Sequence, residues 1–254
     1  MSQIKLYGYS TSPYVRKVAA CLYYKQLNFE HVPVSPIDPK ATIGFTNGTQ
    51  VPVLSIGDDW KTDSTPIALW LDEQFPERPL LPEDAEQRAA IIKIDDWISH
   101  SFLPSYFRAA VDGKKDLAFK FRGWRLAAIL SAHTPMPEHV RHRWPDLVSM
   151  APFIVKMVEQ LDRTESLKDM NMRIGMEMIG HLGSGPFLGG SNRPTLADLS
   201  LFPQLVFPYM AGLTDTIPTD MVPSLKTWLR DVAKHLPRNP ILVLDDFIVA
   251  NLNL

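Results

Sequence analysis

The chain has 254 residues, of which 45% are hydrophobic and 21% charged, so it is long enough for one or two ordinary globular domains. The net charge of −2 gives no electrostatic reason to expect nucleic acid or an anionic membrane as a partner, and no stretch approaches the roughly 18 apolar residues of a membrane span. The single cysteine, Cys21, excludes an intramolecular disulfide and fits a reducing compartment, so we expect a cytoplasmic protein.

The first 76 residues alternate strand and helix signals. Apolar alternation and helical periodicity predict strands at 3–7, 29–34, 51–56 and 59–62, with helices at 13–26 and 65–75. Gly57-Asp58 between the last two strands is typical of a hairpin turn. Residues 35–49 are rich in proline and glycine, and no element is predicted there. The pattern predicts a small α/β layer with a mixed sheet.

The turn between the first strand and the first helix carries three hydroxyl side chains, at positions 10–12. Pro13 stands where the helix begins, a position at which its missing N–H costs nothing. Unpaired backbone N–H groups at a helix N-terminus favour an anion, including a thiolate. The alternative is that Ser12 only caps the helix, since serine is a common N-cap residue. Cys21 falls inside the same helix and is predicted to be a core residue rather than a redox group.

Residues 76–82 are rich in proline and form the predicted domain boundary. From Asp84 onward the signals are almost all helical. The segment 132–152 contains four prolines, and we expect an irregular, solvent-facing connection there. Thr195 and Asp198 have the spacing of a capping box, which assigns Asp198 a structural role at the start of a helix.

Aromatic and histidine residues of the helical part offer further candidates. The aromatic residues at helical spacing are predicted to be mostly core, the alternative being an apolar pocket against the Ser12 turn: Phe102, Tyr106, Phe121 and Trp124. His133, His139 and His142 lie in a loosely spaced group without a cysteine or carboxylate at a metal-site spacing, so no metal site is predicted.

Three short motifs occur in a fixed order in the first part of the chain: Ser12-Pro13-Tyr14, Val51-Pro52 and Asp63-Ser64. With them, and with 187–190 and 194–199 in the second part, the sequence resembles the cytosolic glutathione S-transferase superfamily, as a serine-type bacterial member. The resemblance implies an α/β plus all-α fold. It consists of a thioredoxin-like domain at 1–76, which binds glutathione, and an all-helical bundle domain at 84–254.

The resemblance also implies an activity and a site. Glutathione, as co-substrate and without a metal, would attack a small electrophile or a peroxide, and Ser12 would stabilise its thiolate. Asp63 and Ser64 would hold the γ-glutamyl group of glutathione. Val51 and Pro52, joined by a cis bond, would pair with the extended peptide. Gln50 and Lys40 are weaker candidates for the other end of glutathione. The implied partners are glutathione, the electrophile and a second copy in a homodimer, with detoxification as the role.

Two rival functions stay open. A binding or regulatory protein with the transferase fold would keep the scaffold without turnover, and Gln50, where the family often has lysine two positions before the proline, leaves room for it. A glutathione-dependent thiol–disulfide reductase is disfavoured, because such an enzyme normally has cysteine where Ser12 stands.

Overall fold

The computed structural model describes residues 2–112, 117–183, 185–215, 217 and 222–252. Its sheet has four strands: β1 (Ile4–Gly8), β2 (Glu30–Pro33), β3 (Val53–Ile56) and β4 (Asp59–Thr62). They are ordered β2-β1-β3-β4, with β1 parallel to β2 and β3 antiparallel to both of its neighbours. The predicted mixed sheet and its terminal hairpin are therefore confirmed.

Three helices accompany the sheet: α1 (Pro13–Tyr24), α2 (Lys40–Ile43) and α3 (Ser64–Gln74). The apolar stripe of α1 is completely buried, and so is Cys21, as expected. Burial raises the pKa of the Cys21 thiol to about 12, which makes it an inert core residue. Residues 35–49 are not wholly irregular, because α2 and a 3₁₀ turn at Gly44–Thr46 lie within them.

The second part of the described chain is helical. Its helices are α4 (Ala85–Trp97), α5 (Leu103–Asp112), α6 (Leu117–His133), α7 (Glu138–Ser149), α8 (Pro152–Glu159), α9 (Leu167–Leu182), α10 (Leu196–Met210) and α11 (Pro223–Ala233). A π-helical turn, Ile98–Phe102, joins α4 to α5, and short 3₁₀ turns occur at Leu188–Gly190 and Asp245–Phe247. The thioredoxin-like sheet followed by a helical bundle is the fold class expected from the sequence.

The expectation of an irregular segment at 132–152 is wrong. Helix α7 occupies most of it, and only short stretches before and after α7 are non-helical. Pro137 precedes the helix and Pro152 opens the next one, so neither interrupts a helix. Pro145 lies inside α7 but is buried against Gly123 of α6. Tertiary packing thus stabilises a helix that its prolines disfavour.

The expected burial of the aromatic residues is also largely wrong. Phe121 is 60% exposed, Trp124 40% and Tyr106 45%. Phe121 and Trp124 contact each other on the outer face of α6, with ring centroids 5.7 Å apart. The buried face of α6 instead carries Phe119, Ala127 and Leu130. Helical spacing identifies a face of the helix, but packing decides which face is covered.

One continuous core joins the two parts of the chain, since α1 packs against α10. A buried ion pair lies in the same interface: Lys17 Nζ is 2.7 Å from an Asp95 carboxylate oxygen. Thr65 and Ser200 donate hydrogen bonds to that carboxylate, so it links α1, α3, α4 and α10. Helix α3 ends at Gln74 and α4 begins at Ala85, but the division into domains at 76–84 stays a prediction because the core is shared.

The capping box of α10 is present as expected. The Asp198 carboxylate accepts hydrogen bonds from the N–H and hydroxyl of Thr195, both at 2.8 Å. It also accepts from the backbone N–H of Leu188 and the indole N–H of Trp228. The buried Asp198 therefore organises the contact of α10 with the 3₁₀ turn and with α11.

Candidate active site

The register of the sheet brings three separate segments to one edge. Tyr7 of β1 pairs with Val53 of β3, and Val53 pairs with Thr62 of β4. The turn that follows β1, the Gln50-Val51-Pro52 segment that precedes β3, and the Asp63-Ser64 pair that follows β4 therefore all leave the sheet at this edge. Loops at one edge of a rigid sheet are a common location for binding residues.

Ser12 is the N-cap residue of α1. Its Oγ accepts a hydrogen bond from the Val15 N–H at 3.5 Å, and its own N–H donates to the Tyr9 carbonyl at 2.9 Å. A bond of 3.5 Å is at the long limit of a hydrogen bond, and it uses the Ser12 oxygen only as an acceptor. The Ser12 O–H therefore keeps its capacity to donate a hydrogen bond at the positive end of the helix.

Ser10 lies two residues earlier in the same turn. Its side chain is completely buried, and among the described residues its hydroxyl has no hydrogen-bond partner. A buried hydroxyl without a partner is uncommon, because it loses its hydrogen bonds to water without compensation. Ser10 is therefore a second candidate for contact with a bound sulfur atom.

The Asp63-Ser64 pair forms the N-terminus of α3. Asp63 has a φ of 69°, a left-handed conformation that is uncommon outside glycine, and its side chain makes no capping bond. The Asp63 side chain is thus left exposed, while Ser64 is buried in the first turn. Thr65, the next residue, is held by Lys17 Nζ at 2.7 Å, which fixes this helix end to α1.

Tyr14 links the Ser12 turn to Asp63. Its pKa is raised to about 12, first by burial and then by the negative charges of Asp63 and Asp95. Because the charge of Asp63 acts on Tyr14, the two motifs that contain these residues lie within electrostatic reach of each other.

The remaining sequence candidates lie around this edge. The Val51-Pro52 peptide bond is cis, as expected. Pro52 is buried, Val51 half-buried, and Gln50 exposed beside them. Lys40 begins α2, inside the loop that leaves the same edge after β2, and its side chain is exposed.

Arg16 is a residue of the site that the sequence argument did not identify. Its guanidinium is buried, donates to the Ser10 carbonyl at 2.9 Å and to Gln204 at 2.8 Å, and stacks 3.8 Å from the centroid of the Phe207 ring. Burial lowers its pKa. The signal available in the sequence was a basic residue within the apolar stripe of α1, next to Val15.

A row of aromatic side chains extends from the Ser12 turn into the helical part. Ring centroids are 6.1 Å apart between Tyr14 and Phe153, 6.5 Å between Phe153 and Phe107, and 5.8 Å between Phe107 and Tyr106. The row joins α1, α8 and α5. Of the residues that the sequence singled out for an apolar pocket, Tyr106 belongs to this row, whereas Phe121 and Trp124 are on the outer face of α6.

Two further searches cover only the part of the chain that the structure describes. No group of three or more histidine, cysteine, aspartate or glutamate side chains there is placed to hold a metal ion. In the same residues, every helix is too short or too polar to cross a membrane.

Known proteins share parts of this sequence and this fold. Residues 6–79 match the family described as glutathione S-transferase, N-terminal domain. A zeta-class glutathione S-transferase from Euphorbia esula is 32% identical over an alignment of 111 residues, and the match covers 40% of this chain and 47% of that protein. The chain thus spans less than half the length of this curated relative. The relative is a plant protein, and the expected serine-type bacterial subtype is not confirmed.

Solved structures match along almost the whole chain. The beta-etherase LigF from Sphingobium sp. strain SYK-6 has a TM-score of 0.61 at 21% identity and covers 92% of this chain and 98% of its own. A glutathione S-transferase from Rhodospirillum rubrum F11 has a TM-score of 0.62 at 22% identity and covers 94% and 91%. At these identities the likeness concerns the fold. Residues 6–79 thus match a glutathione S-transferase N-terminal domain, and the chain as a whole has the fold of these solved structures.

Proposed function

We propose that the protein is a glutathione transferase, which conjugates the thiolate of glutathione to a small electrophile or reduces a peroxide. The observation that carries this proposal is the row Tyr7–Val53–Thr62 across the sheet, because it gathers the Ser12 turn, the cis Val51-Pro52 bond and the Asp63-Ser64 pair at one edge. The match of residues 6–79 to the transferase N-terminal domain supports it.

Glutathione has two carboxylates, one ammonium group and one thiol, and each meets a suitable partner at this edge. The Ser64 hydroxyl and the N-terminus of α3 receive the γ-glutamyl carboxylate, and the exposed Asp63 carboxylate receives the ammonium group. The backbone of Val51 pairs with the extended peptide, and Gln50 and Lys40 are candidates for the remaining carboxylate. The thiol then lies at the N-terminus of α1, where the Ser12 hydroxyl donates to the thiolate.

Calorimetric titration with glutathione tests the binding part of this proposal. Ser64→Ala should weaken binding by on the order of 1–3 kcal/mol, the cost of an unmade charge-assisted hydrogen bond. Ser224→Ala is the matched control, because Ser224 is an exposed serine in the first turn of α11. Unchanged affinity in both Ser64→Ala and Asp63→Ala would show that the γ-glutamyl group is misplaced.

The rivals make different predictions for the same protein. A parent protein that binds glutathione but turns over no electrophile would be a binding or regulatory protein. Thiol–disulfide exchange is not expected of the parent, since Ser12 is no nucleophile for it. Ser12→Cys should introduce that exchange, because the position would then carry its own thiol.

The proposal includes a cytoplasmic homodimer with a detoxification role. Exposed aromatic side chains on the first part of the chain support an interface there: Phe45 and Trp60 contact each other at 5.9 Å, and each is more than two-fifths exposed. Sedimentation at micromolar concentration should give twice the chain mass of 28.7 kDa. A sedimenting monomer would contradict the dimer.

A further inference from the structure

Helix α6 carries an apolar stripe on the side that faces solvent. Leu117, Phe121 and Trp124 follow one another at i, i+4 and i+7, and their side chains are 62%, 60% and 40% exposed. The opposite side of the same helix supplies its buried residues, so the packing of α6 in the core does not account for the outer stripe. Large apolar side chains grouped on one exposed face are typical of a surface that contacts another body.

Helix α7 fixes one border of this stripe. The indole N–H of Trp124 donates to the His142 carbonyl at 2.9 Å, and Pro145 packs against Gly123. The rings of Phe121 and Trp124 are in edge-to-face contact. The stripe therefore belongs to one packed unit, the α6–α7 hairpin of residues 117–149.

The α6–α7 hairpin differs in charge from the rest of the protein. It contains five lysine and arginine residues and two acidic ones, so its formal charge is +3, whereas the remainder of the chain carries −5. The two acidic residues are Glu138, which pairs with His142 at 3.8 Å, and Asp146. Four basic side chains are exposed and form no ion pair with a described residue: Lys120, Arg122, Arg141 and Arg143. The net charge of the whole chain thus conceals a basic surface around the apolar stripe.

We propose that the outer face of the α6–α7 hairpin docks on the surface of a membrane that contains anionic lipids. Interfacial helices bind in this way, with Trp, Phe and Leu side chains at the boundary between headgroups and acyl chains and with Lys and Arg beside them. Anionic headgroups attract the exposed basic residues of the hairpin, and each Lys or Arg near the surface adds to the binding. A helix that lies on the surface does not need the length of a membrane span.

Charge also argues against a second copy of the chain as the occupant of this face. In a symmetric dimer the same patch of each subunit meets the other, so two basic surfaces would be brought together. A lipid surface has the opposite charge. The docking does not depend on the transferase activity, and the measurements that test it require no turnover.

Co-sedimentation with vesicles tests the docking. The parent should bind vesicles of phosphatidylcholine mixed with phosphatidylserine more tightly than vesicles of phosphatidylcholine alone, by about tenfold or more. This preference should disappear in about 1 M salt, where the Debye length falls to about 3 Å. Equal binding to both kinds of vesicle, or no binding to either, would overturn the proposal.

Substitutions on the outer face separate the apolar stripe from the basic residues. Phe121→Gln should weaken binding to the mixed vesicles by about tenfold or more, because the ring that enters the lipid boundary is lost. Lys120→Gln should weaken it by about fivefold. Met176→Gln and Lys226→Gln are the matched controls, because these residues are exposed on α9 and α11, and both variants should bind like the parent. Equal losses in the variants and the controls would contradict the assignment to the hairpin.

A label at position 121 reports which face meets the lipid. Cys21 is completely buried, so the thiol of Phe121→Cys can be labelled selectively with a polarity-sensitive dye. Its emission should shift to the blue with the mixed vesicles, whereas a label in Met176→Cys should show no shift. An unshifted label at 121 on bound protein would refute this face as the docking surface. Sedimentation without lipid tests the other occupant: if Phe121→Gln changes the oligomeric state and the parent binds no vesicles, a second copy covers the stripe and the membrane proposal is wrong.

Discussion

Ser12 and Ser10 compete for the same role at the N-terminus of α1. Ser12 makes a long capping bond to Val15 N–H, and Ser10 has no partner for its buried hydroxyl among the described residues. Either one could donate to a glutathione thiolate. They differ in what else is lost on substitution, since only Ser12 caps the helix.

We expect Ser12→Ala to lower turnover strongly near neutral pH while glutathione affinity changes little. Without the hydroxyl, the pKa of the bound thiol should rise. At a pH below that pKa, the thiolate fraction falls about tenfold for each unit by which the pKa rises. Turnover should therefore recover in part in alkali. The pH–rate profile of the variant measures this shift.

Two further variants resolve the ambiguity. Ser166→Ala removes another serine N-cap, that of α9, and should cost about 1 kcal/mol of stability without altering the pH profile. Ser10→Ala should leave the profile of the parent if Ser12 is the donor. A parent-like Ser12→Ala profile together with an altered Ser10→Ala profile would assign the role to Ser10.

At the scale of elements, the contact between α6 and α7 depends on one glycine. A Cβ at Gly123 would lie 2.7 Å from side-chain atoms of Pro145 and 2.8 Å from its Cα. Such distances are well below van der Waals contact, and the proline ring has no flexible end that could move away. The absence of a side chain at 123 thus allows the proline-containing α7 to dock.

Gly123→Ala should destabilise the protein by about 1–3 kcal/mol, since overpacking outweighs the usual gain of alanine over glycine in a helix. Gly175→Ala is the matched control in α9, where a Cβ would meet open space. That variant should gain about 0.5–1 kcal/mol. Denaturant unfolding measures both, and a stabilised Gly123→Ala would contradict the packing argument.

In the whole molecule, a pair of histidines lies where the two parts of the chain meet. His31 of β2 contacts His133 of α6, with ring centroids 5.6 Å apart. Burial lowers the pKa of both, and the neighbouring His133 lowers that of His31 further. Burial also lowers the pKa values of His181 and His235, whose rings make edge-to-face contacts with Trp97 and Tyr24 respectively.

Stability should therefore fall as the pH falls below about 6.5, the ordinary pKa of histidine. In that range the unfolded chain takes up protons that the folded protein does not, and this favours unfolding. Above that range, the contribution of these histidines to the stability is complete and constant. His133→Gln should reduce the slope of unfolding free energy against pH between 7 and 5. His139→Gln, at an exposed site on α7, should leave that slope unchanged, and a parent with no slope would contradict the argument.

Sequence patterns alone predicted the four strands, helices α1 and α3, the transferase-like order of the motifs and the capping of α10, but not α2. These depend on local rules: strand alternation, helical periodicity, proline at a helix start and the spacing of Thr195 and Asp198. Each acts over a few residues, so the sequence contains it directly.

The other features of the fold and of the site depend on tertiary packing. The tertiary structure showed that α7 forms in spite of its prolines because Pro145 fits over Gly123, and that Phe121 and Trp124 are on the outside of α6. It also brought the Arg16 guanidinium to the Ser10 carbonyl, and it placed Tyr106 in the row of aromatic rings that begins at Tyr14. Such contacts join residues far apart in the chain. Which face is buried and which charges meet depend on how helices pack, and no local pattern encodes that.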